Sequence, residues 1–258
     1  MQAMKFFTSK EVLDSQRKTL FFIHGAGGSH HTWDMQAPLE KKFNIITVDL
    51  PGHGYSTGDG LESIDEMVGV VHELVHQEFA DLLPMVFIGH SMGGGVVQQY
   101  VLEHPQDVDA LVLLDTGARL KVTELIFDYL AEDFSKAVDY IIKFAFHEGA
   151  DERGVEKSRE QMLKCPPDVM FKDFNACNSF DVFNEVNSII KPTLIICGSA
   201  DLLTPLKYSK YLQDNIYNSR FEEIEEAGHM TMLEKPDTVN RIIKQFIVAF
   251  SNEKVNSG

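Results

Sequence analysis

Three side chains in this sequence are of the types that together turn an alcohol into an attacking oxygen. Ser91 sits in Gly89-His90-Ser91-Met92-Gly93, Asp201 in Gly198-Ser199-Ala200-Asp201, and His229 in Ala227-Gly228-His229-Met230. A serine hydroxyl is a weak nucleophile until a base removes its proton, and an imidazole does so when a carboxylate fixes its tautomer and stabilises the imidazolium. Each of the three stands at a glycine-marked turn after an apolar run, in the order serine, acid, histidine. Ser91 is therefore expected as nucleophile, His229 as general base and Asp201 as orienting acid.

The surroundings of Ser91 supply a second requirement, a place to hold negative charge. The run Met85 to Ile88 reads as a strand, and Val96, Val97, Tyr100 and Val101 recur at helical spacing. A strand that turns sharply into a helix projects the serine hydroxyl outward, and only small residues fit at 89 and 93. The helix then begins at Met92, whose unpaired N–H points toward the serine oxygen at the positive end of the helix dipole. A second donor is expected from His24-Gly25-Ala26-Gly27-Gly28-Ser29, a glycine-rich turn at the end of an apolar run, with Ala26 N–H first and Gly25 N–H as its alternative. No Gly-Lys-Ser/Thr follows that turn and its glycine spacing is not that of a dinucleotide fingerprint, so nucleotide binding is the weaker reading.

Other reactive types need weighing. Asp115, at the end of the apolar run Ala110 to Leu114, is a rival acid for Asp201. Asp49 and His53 lie in Asp49-Leu50-Pro51-Gly52-His53-Gly54-Tyr55-Ser56, where carboxylate and imidazole commonly tie loop backbone together. His30 and His31 are adjacent on a loop with no cysteine or carboxylate cluster, so no metal site is expected there. His90 is read as structural. The cysteines, Cys165, Cys177 and Cys197, show no metal spacing and are expected reduced, with a bridge between Cys165 and Cys177 left open.

The elements that position these groups follow from periodicity. Apolar runs at 19–23, 43–50, 85–88, 110–114, 193–197 and 220–224 read as strands, and a helical pattern with Ile64, Val68, Val71 and Val75 separates the second and third. Strands alternating with helices imply parallel pairing, and in such sheets sites gather at the C-terminal strand ends. Between 116 and 191 the pattern is helical only, which predicts a cap inserted into a core made of 1–115 and 192–258. Most of its Phe and Met residues are expected to seat the cap, and the rest to line an apolar pocket above Ser91. Gly25, Arg119, Phe144 and Met230 are the residues expected to border the substrate.

With 258 residues and a formal charge of −16, from 39 acidic against 23 basic side chains, the chain lacks the basic surface that nucleic acid requires. No apolar stretch approaches membrane-spanning length and the N-terminus lacks a signal-like segment, so a cytoplasmic protein without a membrane partner is expected, a monomer or homodimer. The chemistry described calls for no cofactor and no metal.

Over nearly its full length the sequence resembles the α/β-hydrolase family, within its esterase and small-molecule hydrolase group. The resemblance rests on five blocks in the family's order: His24-Gly25, Asp49 to Ser56, Gly89 to Gly94, Gly198 to Pro205, and Gly228-His229. It implies an α/β fold with a mostly parallel sheet of eight strands, or seven because the N-terminal part is short, flanked by helices, with a helical cap after the sixth strand. Carried over by position, it implies the triad Ser91, Asp201 and His229 and an oxyanion hole from the N–H groups of Ala26 and Met92. The implied activity is hydrolysis of small, largely apolar carboxylic esters. A carbon–carbon bond hydrolase of dienone acids, with Arg119 or Lys121 holding the substrate carboxylate, a monoacylglycerol lipase or thioesterase, and a non-enzymatic ligand receptor are the alternatives.

Overall fold

The computed structural model describes residues 4–10 and 12–256. One sheet of seven strands organises it: β1 (Lys5–Thr8), β2 (Thr19–Ile23), β3 (Asn44–Asp49), β4 (Met85–His90), β5 (Val108–Leu114), β6 (Thr193–Gly198) and β7 (Ser219–Ile224). Their spatial order is β1-β3-β2-β4-β5-β6-β7, with β1 antiparallel to β3 and the other pairings parallel. Seven is the lower of the two expected counts, so the cap follows the fifth strand of this chain. The edge strand β1 carries no clean apolar alternation, which is why periodicity does not reveal it.

The helices are α1 (Ile64–Glu78), α2 (Met92–Glu103), α3 (Glu124–Glu132), α4 (Phe134–Ala145), α5 (Glu152–Met162), α6 (Pro167–Ser179), α7 (Leu206–Asn215), α8 (Thr231–Glu234) and α9 (Pro236–Asn256). Ser63 opens α1 by accepting from Glu66 N–H at 3.2 Å, satisfying one of the helix's orphan donors. Among the described residues no helix is long and apolar enough to cross a membrane.

The central strands are buried on both faces, as parallel strands between helical layers must be. Alternation along β2 sends Phe21 and Ile23 into the layer packed by α1, α2 and α7, while Leu20 and Phe22 meet Trp33 and the α9 side chains Val239, Ile243 and Ile247. At about 1.5–3 kcal/mol for each large side chain buried, these two layers carry the stability. The loops at the strand ends are thereby left free for chemistry.

Helices α3 to α6 form the cap. Ile126, Leu130, Val138, Ile141, Val169 and Met170 make an apolar cluster of its own, while Ala176, Cys177 and Phe180 pack into the main core. An isolated antiparallel bridge between Arg119 and Asp181 closes its base. The three cysteines are free and buried, so Cys165 and Cys177 are not bridged.

Candidate active site

Ser91 lies between β4 and α2 with φ 52° and ψ −116°, a conformation that costs a non-glycine residue energy. Its neighbours hold it there. Ser91 N–H donates to Leu114 O at 3.0 Å, and Ser91 O accepts from Thr116 Oγ1 at 2.8 Å and from Gly94 N–H at 2.9 Å. A Cβ at Gly89 would overlap the backbone of Gly93, and one at Gly93 would overlap the carbonyls of Ile23 and His24. The two glycines are thus required by close approach of strand, turn and helix.

The glycine-rich turn after β2 passes beside this serine. A Cβ on Gly25 would stand 3.2 Å from Ser91 Cβ and 2.8 Å from His90 Nδ1. Among the described residues, neither Ala26 N–H nor Met92 N–H has an acceptor, while Gly27 N–H is engaged by Asp173 Oδ2 at 2.8 Å and Gly28 N–H by Gly25 O at 3.0 Å. Two unspent donors beside the serine are what a developing oxyanion needs.

His229 and Asp201 come from the loops after β7 and β6. His229 Nδ1–H donates to Asp201 Oδ2 at 2.9 Å, leaving the lone pair on Nε2. The other Asp201 oxygen accepts from Leu203 N–H at 2.8 Å and Thr204 N–H at 2.9 Å, and Thr204 Oγ1–H donates to Oδ2 at 2.7 Å. Burial opposes ionisation of Asp201, but the His229 imidazole and these donors outweigh it and bring its pKa down to about 2. Burial likewise lowers the pKa of His229, and the Asp201 carboxylate reverses the effect and raises it above 6.5.

Asp115 occupies a different niche. It is fully buried with φ 46°, accepts from Gly198 N–H at 2.9 Å and pairs with Thr231 Oγ1. Burial and the nearby Asp201 charge push its pKa well above the carboxylate range. Of the two candidate acids, Asp201 is the one hydrogen-bonded to His229. His90 contributes from behind, its Nε2–H donating to His229 O at 2.9 Å, and burial beside His229 lowers its pKa to about 3.

The cap reaches into the same network. His229 N–H donates to Ala145 O at 2.8 Å at the end of α4, and Glu234 accepts from His147 N–H at 2.9 Å and Gly228 N–H at 2.8 Å. A cavity of about 810 Å³ lies between cap and core, bordered by Ser91 and His229 and lined by Ile126, Ile142, Phe144, Met162, Phe174 and Leu203. Gly25, Ala26, Arg119 and Met230 also border it. Arg119 is paired with Asp181, Nη2 to Oδ2 at 2.7 Å, and its guanidinium lies 4.9 Å from the Phe183 ring centroid. Lys121 Nζ donates to Asn178 O at 2.8 Å. Both expected cations are committed to the base of the cap.

Three residues of this site escape sequence reasoning. Thr204 lies in the recognised Gly198 to Pro205 block but has no pattern of its own, and Ala145 acts through its carbonyl, which every residue carries. Asp173 sits in a helical stretch where acids are ordinary. The loop residues Asp49 and His53 are structural as expected, Asp49 accepting from His30 N–H at 2.7 Å and Tyr55 N–H at 2.9 Å.

A mostly parallel sheet with a strained serine between strand and helix, and an Asp-paired histidine bordering the same capped cavity, is the architecture of a large class of hydrolases. Residues 18–236 match the alpha/beta hydrolase fold family, and the chain belongs to it. It is 26% identical to the pimeloyl-[acyl-carrier protein] methyl ester esterase of Nitrosomonas europaea, over 84% of this chain and 91% of that protein. It is 25% identical to the human monoacylglycerol lipase ABHD6, over 93% of this chain and 78% of that protein. Among solved structures, a thermophilic esterase is 30% identical with a TM-score of 0.81, covering 96% of this chain and 98% of its own. The enol-lactonase of Burkholderia xenovorans LB400, 21% identical, shares the fold with a TM-score of 0.86 over 95% of this chain and 96% of its own.

Proposed function

We propose that the protein is a carboxylic ester hydrolase working through an acyl-enzyme on Ser91. The observation that carries this reading is the Asp201–His229 hydrogen bond beside a cavity shared with Ser91. His229 Nε2 takes the Ser91 proton as Oγ attacks the ester carbonyl, and the N–H groups of Met92 and Ala26 receive the oxyanion. Collapse of the tetrahedral intermediate expels the alcohol, protonated by His229. Water then enters, His229 takes its proton, and the tetrahedral intermediate it forms breaks down to release the acid and restore Ser91.

The apolar lining favours a largely apolar acyl group, and the substrates named for the relatives above, a methyl ester and monoacylglycerols, are carboxylic esters. Engagement of Arg119 and Lys121 weighs against a dienone acid, whose carboxylate needs a free cation. The test is a chain-length series of p-nitrophenyl esters with wild type and Ser91→Ala. Turnover by wild type that falls at least about 10³-fold in the variant, with unchanged circular dichroism, is expected. Full activity in Ser91→Ala rejects the assignment.

A further inference from the structure

At the opposite end of the sheet from Ser91, α1 and the turn that leads into β5 bring a second group of reactive side chains together. His72 and His76 are spaced i and i+4, so their rings project from one face of α1. Asp107, which immediately precedes β5, faces both. His76 Nε2 stands 2.9 Å and His72 Nδ1 3.4 Å from the same oxygen, Asp107 Oδ2. One donor atom from each of the three residues lies within 4.8 Å of the others.

We propose that His72, His76 and Asp107 form a binding site for a zinc-class divalent transition ion, separate from the catalytic centre. The spacing suits that chemistry. With metal–ligand bonds of 2.0–2.1 Å in tetrahedral geometry, neighbouring ligand atoms are about 3.3 Å apart, and the two measured imidazole-to-carboxylate separations bracket that figure. Two imidazole nitrogens and one carboxylate oxygen match zinc and the later first-row ions, not calcium or magnesium, which take all-oxygen shells. Three protein ligands leave a fourth position for water.

The surroundings hold the ligands in place. His104 stacks on His72 with centroids 3.8 Å apart and planes 9° from parallel, which fixes the His72 ring, and Tyr100 Oη–H donates to Asp107 Oδ2 at 3.0 Å. Such outer contacts orient metal ligands and tune their basicity. The Asp107 carboxylate is buried, whereas the two imidazoles are partly open to solvent, so an ion has an entry path. Bound there, it ties the last turns of α1 to the start of β5. Catalysis stays untouched, because β4 alone separates the two ends of the sheet by about 20 Å.

The test is titration of the full-length protein with zinc chloride by calorimetry, and with cobalt chloride by visible absorption. Expected are one saturable site per chain, cobalt bands of a four-coordinate centre, and a rise in Tm of about 5 °C at a hundredfold excess of zinc over Kd. His76→Gln and His72→Ala should each weaken binding at least about tenfold, while Ser91→Ala binds like wild type. Because the His76 side chain is 44% exposed, its replacement leaves the fold intact, and circular dichroism verifies it. Absence of saturable binding, or binding unchanged in the His72→Ala/His76→Gln double variant, overturns the proposal.

Discussion

Asp173, in the cap helix α6, accepts a hydrogen bond on Oδ2 from His53 Nε2 at 2.8 Å and another on the same oxygen from Gly27 N–H at 2.8 Å. One buried carboxylate of the cap thus holds two core loops, one of them the turn that carries Ala26. His53 Nδ1 faces Pro51 O at 3.1 Å, an acceptor only, so both ring nitrogens donate and the ring is an imidazolium. Burial opposes that charge, and the Asp173 carboxylate outweighs it, raising the His53 pKa well above 6.5. His24, its ring tilted 53° against that of His53 with centroids 4.7 Å apart, is the neutral partner: burial and the His53 charge lower its pKa to about 4, and its Nε2 accepts from Leu50 N–H.

Asp173→Asn should therefore loosen cap and oxyanion turn together. Removing one partner of a buried ion pair costs about 3 kcal/mol or more, and drift of the turn should lower kcat at least about tenfold with a smaller change in KM. Urea unfolding and steady-state kinetics on one ester measure both. An unchanged kcat would detach the turn from the cap.

The same pair predicts a pH trend in stability. A folded-state pKa raised above the unfolded 6.5 contributes stability that is fully present below 6.5 and lost as pH rises through the folded value. Wild type should lose stability on the alkaline side over that range, and Asp173→Asn should show a flatter dependence. Unfolding free energies at pH 6 and at successively higher pH, for both proteins, check the sign.

Asp201→Asn should lower kcat by about 10⁴, because the wrong tautomer of His229 is then favoured. Asp115→Asn should cost far less, under about 10², since Asp115 is hydrogen-bonded to Gly198 and Thr231, not to His229. The reverse ranking in a paired assay would make Asp115 the working acid.

Hydrolysis should also follow His229. The imidazolium cannot accept the Ser91 proton, so kcat/KM rises with pH through a pKa that the Asp201 charge holds above 6.5. Replacing Thr204 by Val removes a hydroxyl donor to Asp201 Oδ2, which should weaken the carboxylate's hold and reduce kcat about tenfold. A pH–rate profile of both proteins reads the limb directly.

Gly25→Ala tests the oxyanion turn while leaving every triad side chain chemically unchanged. The added methyl crowds His90 Nδ1 and Ser91 Cβ, so the turn must shift. Loss of one oxyanion donor costs about 10²–10³ in kcat, and a fall approaching that range with a Tm change of only a few degrees is expected.

The residue types for acyl transfer, and the strands that carry them, are readable along the chain because each signal is local. A serine between two glycines after an apolar run, or a histidine after a glycine at a strand end, needs no distant partner to be recognised. The parallel sheet follows from the alternation of strand and helix, and the cap from the stretch where strands cease. Folding agrees with the Gly198-Ser199-Ala200-Asp201 turn, which already favours Asp201 over Asp115, by placing Asp201 Oδ2 2.9 Å from His229 Nδ1. It also selected Asp173 from many cap acids and brought the Ala145 carbonyl against His229. The contacts of Asp173 and Ala145 depend on atoms that meet within hydrogen-bond distance across 80 or more residues of chain, and no pattern along the sequence encodes a distance of that kind.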